Sequence, residues 1–145
     1  MPGVPKATRE YVLGRAGYRC EYCQMRGWWL EPDHIIPRSR WTELGGGPGL
    51  DSPSNLAAAC TSCNARKRNH IAGIDALTGL IVPLYHPRLE HWYDHFAFSD
   101  DFDEIIGVSP VGRVTVVRLG MNRRPYRDQR RLLRQAMLSE GIAWP

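Results

Sequence analysis

Two Cys-x2-Cys pairs, Cys20/Cys23 and Cys60/Cys63, constrain this chain more than any other feature, and they hold its only four cysteines. Each pair can offer two thiolates from one tight knuckle, and two knuckles complete a tetrahedral zinc site. Two disulfides would suit a small secreted framework, and a lone pair would suit a thioredoxin-like redox motif; neither context is present. Structural Zn2+ is therefore the expected cofactor, with all four cysteines as ligands. One ion would hold both ends of the 36-residue stretch between the pairs. In zinc-finger peptides such binding contributes on the order of 10 kcal/mol to folding.

The 145 residues suit one structural unit, or a small module with an extension packed on or beside it. The expected division is a zinc module over 1–75 and an extension over 76–145. Met1 to Glu10 is polar and interrupted by Pro2 and Pro5, unlike a signal peptide, and no run approaches the roughly 18 apolar residues of a membrane span. The expectation is a cytoplasmic protein with no membrane partner. A net charge of +4 favours an anionic partner. Eight arginines lie between Arg113 and Arg134 against Asp128 alone, whereas Glu90 to Glu104 carries six acids and no Lys or Arg.

Local signals predict a helix from Thr8, as cap, to Ala16, closed by Gly17. Tyr18 to Gln24 forms the first knuckle. Trp28 to Leu30 and His34 to Ile36 read as two strands of a hairpin, with Pro32 at a turn or bulge. The glycine-rich stretch 38–53 reads as an irregular loop. A helical turn over Asn55 to Ala59, capped by Ser52 or Ser54, leads to the second knuckle and a helix from Ser62 or Cys63. Further on, Leu80 to Leu84 is a short apolar run and Pro87 can start a helical turn. Ile105 to Val108 and Val114 to Leu119 read as strands joined through Pro110 and Gly112. A basic helix follows from Pro125, whose arginine face is open to solvent or to phosphates alike.

Three strings stand in order: Asp33-His34-Ile35-Ile36-Pro37-Arg38-Ser39, then Ser54-Asn55-Leu56, then Cys60-Thr61-Ser62-Cys63-Asn64-Ala65-Arg66-Lys67. Phosphodiester hydrolysis needs an in-line nucleophile and a cation against the charge that develops on the phosphoryl oxygens. Asp33 offers a carboxylate ligand. His34 can take a proton from water near neutral pH. Neighbours on a strand face opposite sides, so bringing both to one site requires a bulge or a strand end.

In residue type and order, these strings together with Cys20-x2-Cys23 resemble the HNH, or ββα-metal, endonuclease pattern over roughly residues 8–70. The resemblance implies an α+β protein: a small zinc-stabilised ββα-metal module with a C-terminal extension of short strands and a basic helix. It further implies that Asp33 and Asn64 hold the catalytic divalent ion, that His34 is the general base, and that Asn55 braces the hairpin and loop. An amide oxygen with a carboxylate and waters suits Mg2+ or Mn2+, with other divalent ions open. Arg38, Arg40, Arg66, Lys67 and Arg68 become the expected contacts to nucleic acid, with double-stranded DNA as the expected partner. RNA or branched DNA, a homodimer, and a non-catalytic zinc module that binds nucleic acid stay open. His91 and His95 lack the Glu of a His-Glu-x2-His zincin and read as packing or surface histidines. Trp28 and Trp29 could stack on bases, although at least one is expected in the core.

Overall fold

The computed structural model describes residues 3–27 and 29–143. Helix α1, Lys6–Arg15, begins behind Pro5 rather than at Thr8, and no side chain caps it. Gly17, at φ 64°, ends it as expected. Its apolar face buries Val12 and Leu13. Arg9 and Arg15 fasten it to the sheet beneath, donating to the carbonyls of Leu30 and Leu56 at 3.1 and 2.7 Å.

The sheet differs from the predicted hairpin. Strand β1 is Glu31–His34, and its antiparallel partner β2 is Leu56–Ala59. Trp28 lies outside the described residues, and Leu30 precedes β1. Pro32 is no turn residue; it pairs in register with Ala58. A proline can sit there because the Ala58 backbone bonds to Glu21 instead: Ala58 N–H donates to Glu21 Oε2 and Ala58 C=O accepts from Glu21 N–H, both at 2.8 Å. Ala57 to Ala59 are helix formers by propensity, yet they form strand. All three are fully buried, and pairing with β1 under α1 and beside the following helix outweighs a preference of a few tenths of a kcal/mol per residue.

The long β1–β2 connection is not wholly irregular. It contains α2, Arg38–Glu43, then glycines at positive φ, and a 3-10 turn at Pro53–Asn55 capped by Ser52 Oγ. Helix α3, Thr61–Lys67, follows β2 and completes a ββα unit, with Cys60 Sγ accepting from Cys63 N–H at its start.

Two more antiparallel pairs follow α3. Strand β3, Ala72–Ile74, pairs with β4, Ile81–Pro83; β5, Phe96–Phe98, follows the short helix α4, Trp92–His95, and pairs with β6, Ile105–Gly107. The stretch predicted as a strand at 114–119 is instead helical: α5 spans Pro110–Leu119. Its β-branched residues favour strand, but the ends decide otherwise. Ser109 Oγ accepts from Gly112 N–H, Pro110 occupies the first turn, and Gly120 closes the helix in the left-handed region. Gly112 is required by packing, since a Cβ there would strike the His95 carbonyl. Helix α6, Arg124–Ser139, closes the chain where a basic helix was expected.

Side chains from the extension enter the module's interior. Trp92 Nε1 donates to the Tyr22 carbonyl at 2.7 Å, and Arg88 pairs with Glu21. Arg130 of α6, fully buried, donates to the carbonyls of Asp103 and Met121 beside the second knuckle. No helix among the described residues is long and apolar enough to cross a membrane.

Candidate metal centre and active site

The first knuckle turns sharply after Cys20. Cys20 N–H bonds to Met25 C=O at 2.8 Å, Gln24 N–H returns to Cys20 C=O at 2.9 Å, and Gln24 takes φ 66°. In both knuckles a backbone N–H points at the first sulfur: Cys23 to Cys20 Sγ and Cys63 to Cys60 Sγ, at 3.5 and 3.4 Å. All four cysteines are buried and free, and their sulfurs lie within 4.8 Å of one another. The Cys23–Cys60 sulfur separation is 3.7 Å, which matches the edge of a tetrahedron with Zn–S bonds of about 2.3 Å. Burial pushes the Cys20 thiol up and contacts with the other three raise Cys63, whereas bonds from its neighbours lower Cys60. Four thiolates in so small a space require a cation. The cluster is positioned to hold one metal ion and fits a structural zinc.

Arg130 is a buried cation beside this cluster whose place there the sequence did not mark. It lines a small space with Cys23, Cys60 and Cys63, and the two sulfurs Cys23 and Cys63 act favourably on its guanidinium. A zinc with four thiolates carries two net negative charges, so a buried arginine beside it is electrostatically apt.

At the sheet, Asp33 and His34 point to opposite sides, as strand alternation requires. No bulge intervenes; His34 is the last residue of β1, paired with Leu56. Asp33 turns inward and is 5% exposed. Its Oδ2 accepts from Tyr22 OH at 2.8 Å and lies 3.1 Å from Lys67 Nζ; Oδ1 has only a longer 3.4 Å contact with the same ammonium. Burial pushes the Asp33 carboxyl up, opposed by Lys67 and Tyr22.

Lys67 was expected on the surface against phosphate. It is instead 2% exposed and also donates to the His34 carbonyl at 2.8 Å. The reason is helical geometry: Lys67 follows Cys63 by four residues, so it shares the inward face that the metal-binding cysteine must occupy. That signal is present in the sequence. Asn64 lies one residue beyond Cys63, is rotated off this face and is exposed, and its side-chain amide makes no hydrogen bond among the described residues.

His34 faces the connection between the strands. Its Nε2 lies 2.6 Å from Asp51 Oδ1, and Nδ1 has no partner among the described residues. Asp51 sits 17 residues away at the end of a glycine-rich segment, and nothing local in the sequence marked it. Asn55 sets this loop in place. Its Oδ1 accepts from Ile36 N–H at 2.9 Å, and its Nδ2 donates to Ile36 C=O and Leu50 C=O at 3.1 and 2.9 Å. One buried amide thereby ties the end of β1 to the residue before Asp51.

Among the expected nucleic-acid contacts, Arg38, Arg66 and Arg68 are exposed, and Arg40 reaches from α2 to the Asn69 carbonyl at 3.1 Å. Trp29 is 53% exposed and lines a groove of about 560 Å³ with Met25, Tyr126 and Leu133. His95 bridges Glu90 and Ser109 at 2.7 and 2.6 Å, a packing role that joins α4 to the start of α5.

A carboxylate and an amide oxygen are donors of the kind a hard divalent ion takes, but Asp33 is buried against Lys67 and Asn64 is exposed on another face of α3. Asp33 Oδ1 keeps acceptor capacity beyond its long Lys67 contact, and the Asn64 amide oxygen is uncommitted.

Residues 20–70 match a family model described as HNH endonuclease. No curated protein and no solved structure matches the chain. The matched stretch contains both knuckles, β1, β2 and α3.

Proposed function

Taking residues 20–70 as an HNH nuclease-type module, we propose that the protein is a metal-dependent endonuclease that hydrolyses phosphodiester bonds in DNA. The observation that carries this reading is the His34–Asp51 pair. With Asp51 accepting from Nε2–H, the neutral ring keeps its lone pair on Nδ1, the atom without a protein partner. Nδ1 is then the atom that takes the proton from an attacking water. A protein that only binds nucleic acid has no use for an oriented base at a strand end.

Asp33 and Asn64 are the residues that would hold Mg2+ or Mn2+, which supplies charge stabilisation at the scissile phosphate. Lys67, bonded to both Asp33 and the His34 carbonyl, keeps strand and helix at a set separation, and Asn55 keeps the Asp51 loop against His34. The zinc is closed to substrate, because its four cysteines are all buried. Thiolate ligands suit a reducing compartment, so the cytoplasm is the proposed location.

The test incubates plasmid DNA with the protein in Mg2+, in Mn2+ or in chelator, alongside His34→Ala. Cleavage is expected with at least one ion, and His34→Ala should lower its rate by roughly 10²- to 10⁴-fold. No cleavage in any metal, or undiminished cleavage by His34→Ala, overturns the assignment.

A further inference from the structure

Some arginines of this protein are ion-paired within the fold and others are not. In the extension, Arg113 holds Asp75 through two bonds of 2.9 and 3.0 Å, and Arg127 and Arg131 both reach Asp103. These guanidiniums are committed to carboxylates within the fold. Arg66, Arg68 and Arg118 have no carboxylate within ion-pair distance among the described residues. They meet in one place. A cleft of about 240 Å³ is lined, among the described residues, by Ala65, Arg66, Arg68, His70 and Arg118.

The cleft is built across the boundary between module and extension. Arg66, Arg68 and His70 come from the end of α3 and the turn after it, and Arg118 comes from the last turn of α5. The two helices pack together, and Gly120 makes room: at φ 59° it caps α5, and the Arg66 side chain lies where its Cβ would be. Arg40 joins at the edge through its bond to the Asn69 carbonyl. Burial foremost, and then Arg118, Arg40 and Arg68 nearby, lower the His70 pKa.

Three guanidiniums gathered with no acid repel one another, and an anion relieves that repulsion. Planar arginine forks match phosphate oxygens in particular. The cleft also lies close to the chemistry. Arg68 directly follows Lys67, which touches Asp33 and the His34 carbonyl. Arg38, exposed on α2, adds a further cation, whereas Arg40 is paired with Glu43 at 3.0 Å.

We propose that Arg118 completes a phosphate-binding cleft with Arg66, Arg68 and His70, and that this cleft seats one backbone phosphate of the polynucleotide that the module engages. The extension is then part of the substrate surface. The inference rests on the nuclease reading for its choice of ligand, and it is tested by binding alone.

The experiment measures fluorescence anisotropy of a labelled DNA duplex with the zinc-loaded full chain and no added divalent ion, from roughly 50 to 200 mM salt. Arg118→Gln should weaken binding about fivefold or more at the low end and reduce the slope of log affinity against log salt by about one. Arg118→Lys should keep the slope while binding more weakly. Arg131→Gln, altered at an arginine tied to Asp103, should stay within about twofold of wild type. Single-stranded DNA and duplex RNA of equal length should show the same dependence on Arg118, because the contact is to the phosphodiester. Unchanged affinity and slope in Arg118→Gln overturn the proposal, as do an equal loss in Arg131→Gln, no duplex binding by wild type, or complete displacement by low-millimolar inorganic phosphate. A protein that binds as expected yet cuts nothing sinks the nuclease reading alone, whereas one that cuts while Arg118→Gln binds normally sinks this inference alone.

Discussion

At the scale of single residues, Lys67 and Asp51 change what the motif alone conveys. A lysine after a metal-binding knuckle reads as a phosphate contact, yet its spacing from Cys63 turns it into the interior, where it forms an ion pair with Asp33. Removing one partner of a buried pair leaves the other uncompensated. Lys67→Met should therefore cost about 3 kcal/mol in chemical denaturation, an effect that an exposed phosphate contact would not produce. Asp51 has the opposite history, since no local pattern announces it and its value comes from contact with His34. Asp51→Asn can donate an amide hydrogen to Nε2, which shifts the ring proton to Nδ1 and removes the base. Cleavage by Asp51→Asn should fall by at least about tenfold with melting temperature nearly unchanged, and a wild-type rate would show that Asp51 does not set the tautomer.

At the scale of elements, end signals and tertiary partners decided the cases where propensity pointed elsewhere. The valine-rich segment 114–119 is helical because Ser109, Pro110 and Gly120 define a helix around it. The alanines of β2 are strand because β1 pairs with them inside the core. Helix α6 is basic as expected, but its arginines are largely used within the fold: Arg131 and Arg127 clamp Asp103, whose pKa falls to about 2, chiefly through the bond from Arg131. A carboxyl depressed in the folded state contributes stability that is present above its unfolded value near 3.9 and is lost as pH falls through the folded value. The melting-temperature difference between wild type and Arg131→Gln should thus be full above about pH 4 and close as pH approaches 2. Loss of zinc in acid lowers both curves, so the difference between them is the quantity to read. A difference independent of pH would mean that Asp103 is not the partner.

At the scale of the molecule, the metal cluster and the extension share one interior. The fully buried Arg130 brings α6 against the cysteine cluster, and Trp92 bonds to the carbonyl of Tyr22, whose hydroxyl holds Asp33. Stripping the metal should therefore unfold more than the knuckles. Purified protein should carry about one zinc per chain, and chelation should lower the melting temperature and expose amides in α6 to hydrogen exchange. Arg130→Met should release zinc to a chromogenic chelator faster than wild type. Protection of α6 that survives complete zinc removal would separate the two parts.

The cysteine cluster was legible because its chemistry is local: ligands close in sequence share a knuckle whatever surrounds them. Asn55 was legible as a brace only through resemblance, and its three bonds explain it in physical terms. The partner of β1, the inward turn of Lys67, the Asp51 contact and the meeting of Arg118 with Arg66 and Arg68 belong to tertiary structure. Each joins residues distant along the chain or depends on which face a neighbour must bury. By itself the sequence determined which four sulfurs could share a metal ion. The fold decided which of them face one another, because burial and non-local pairing outweigh preferences worth only tenths of a kcal/mol per residue.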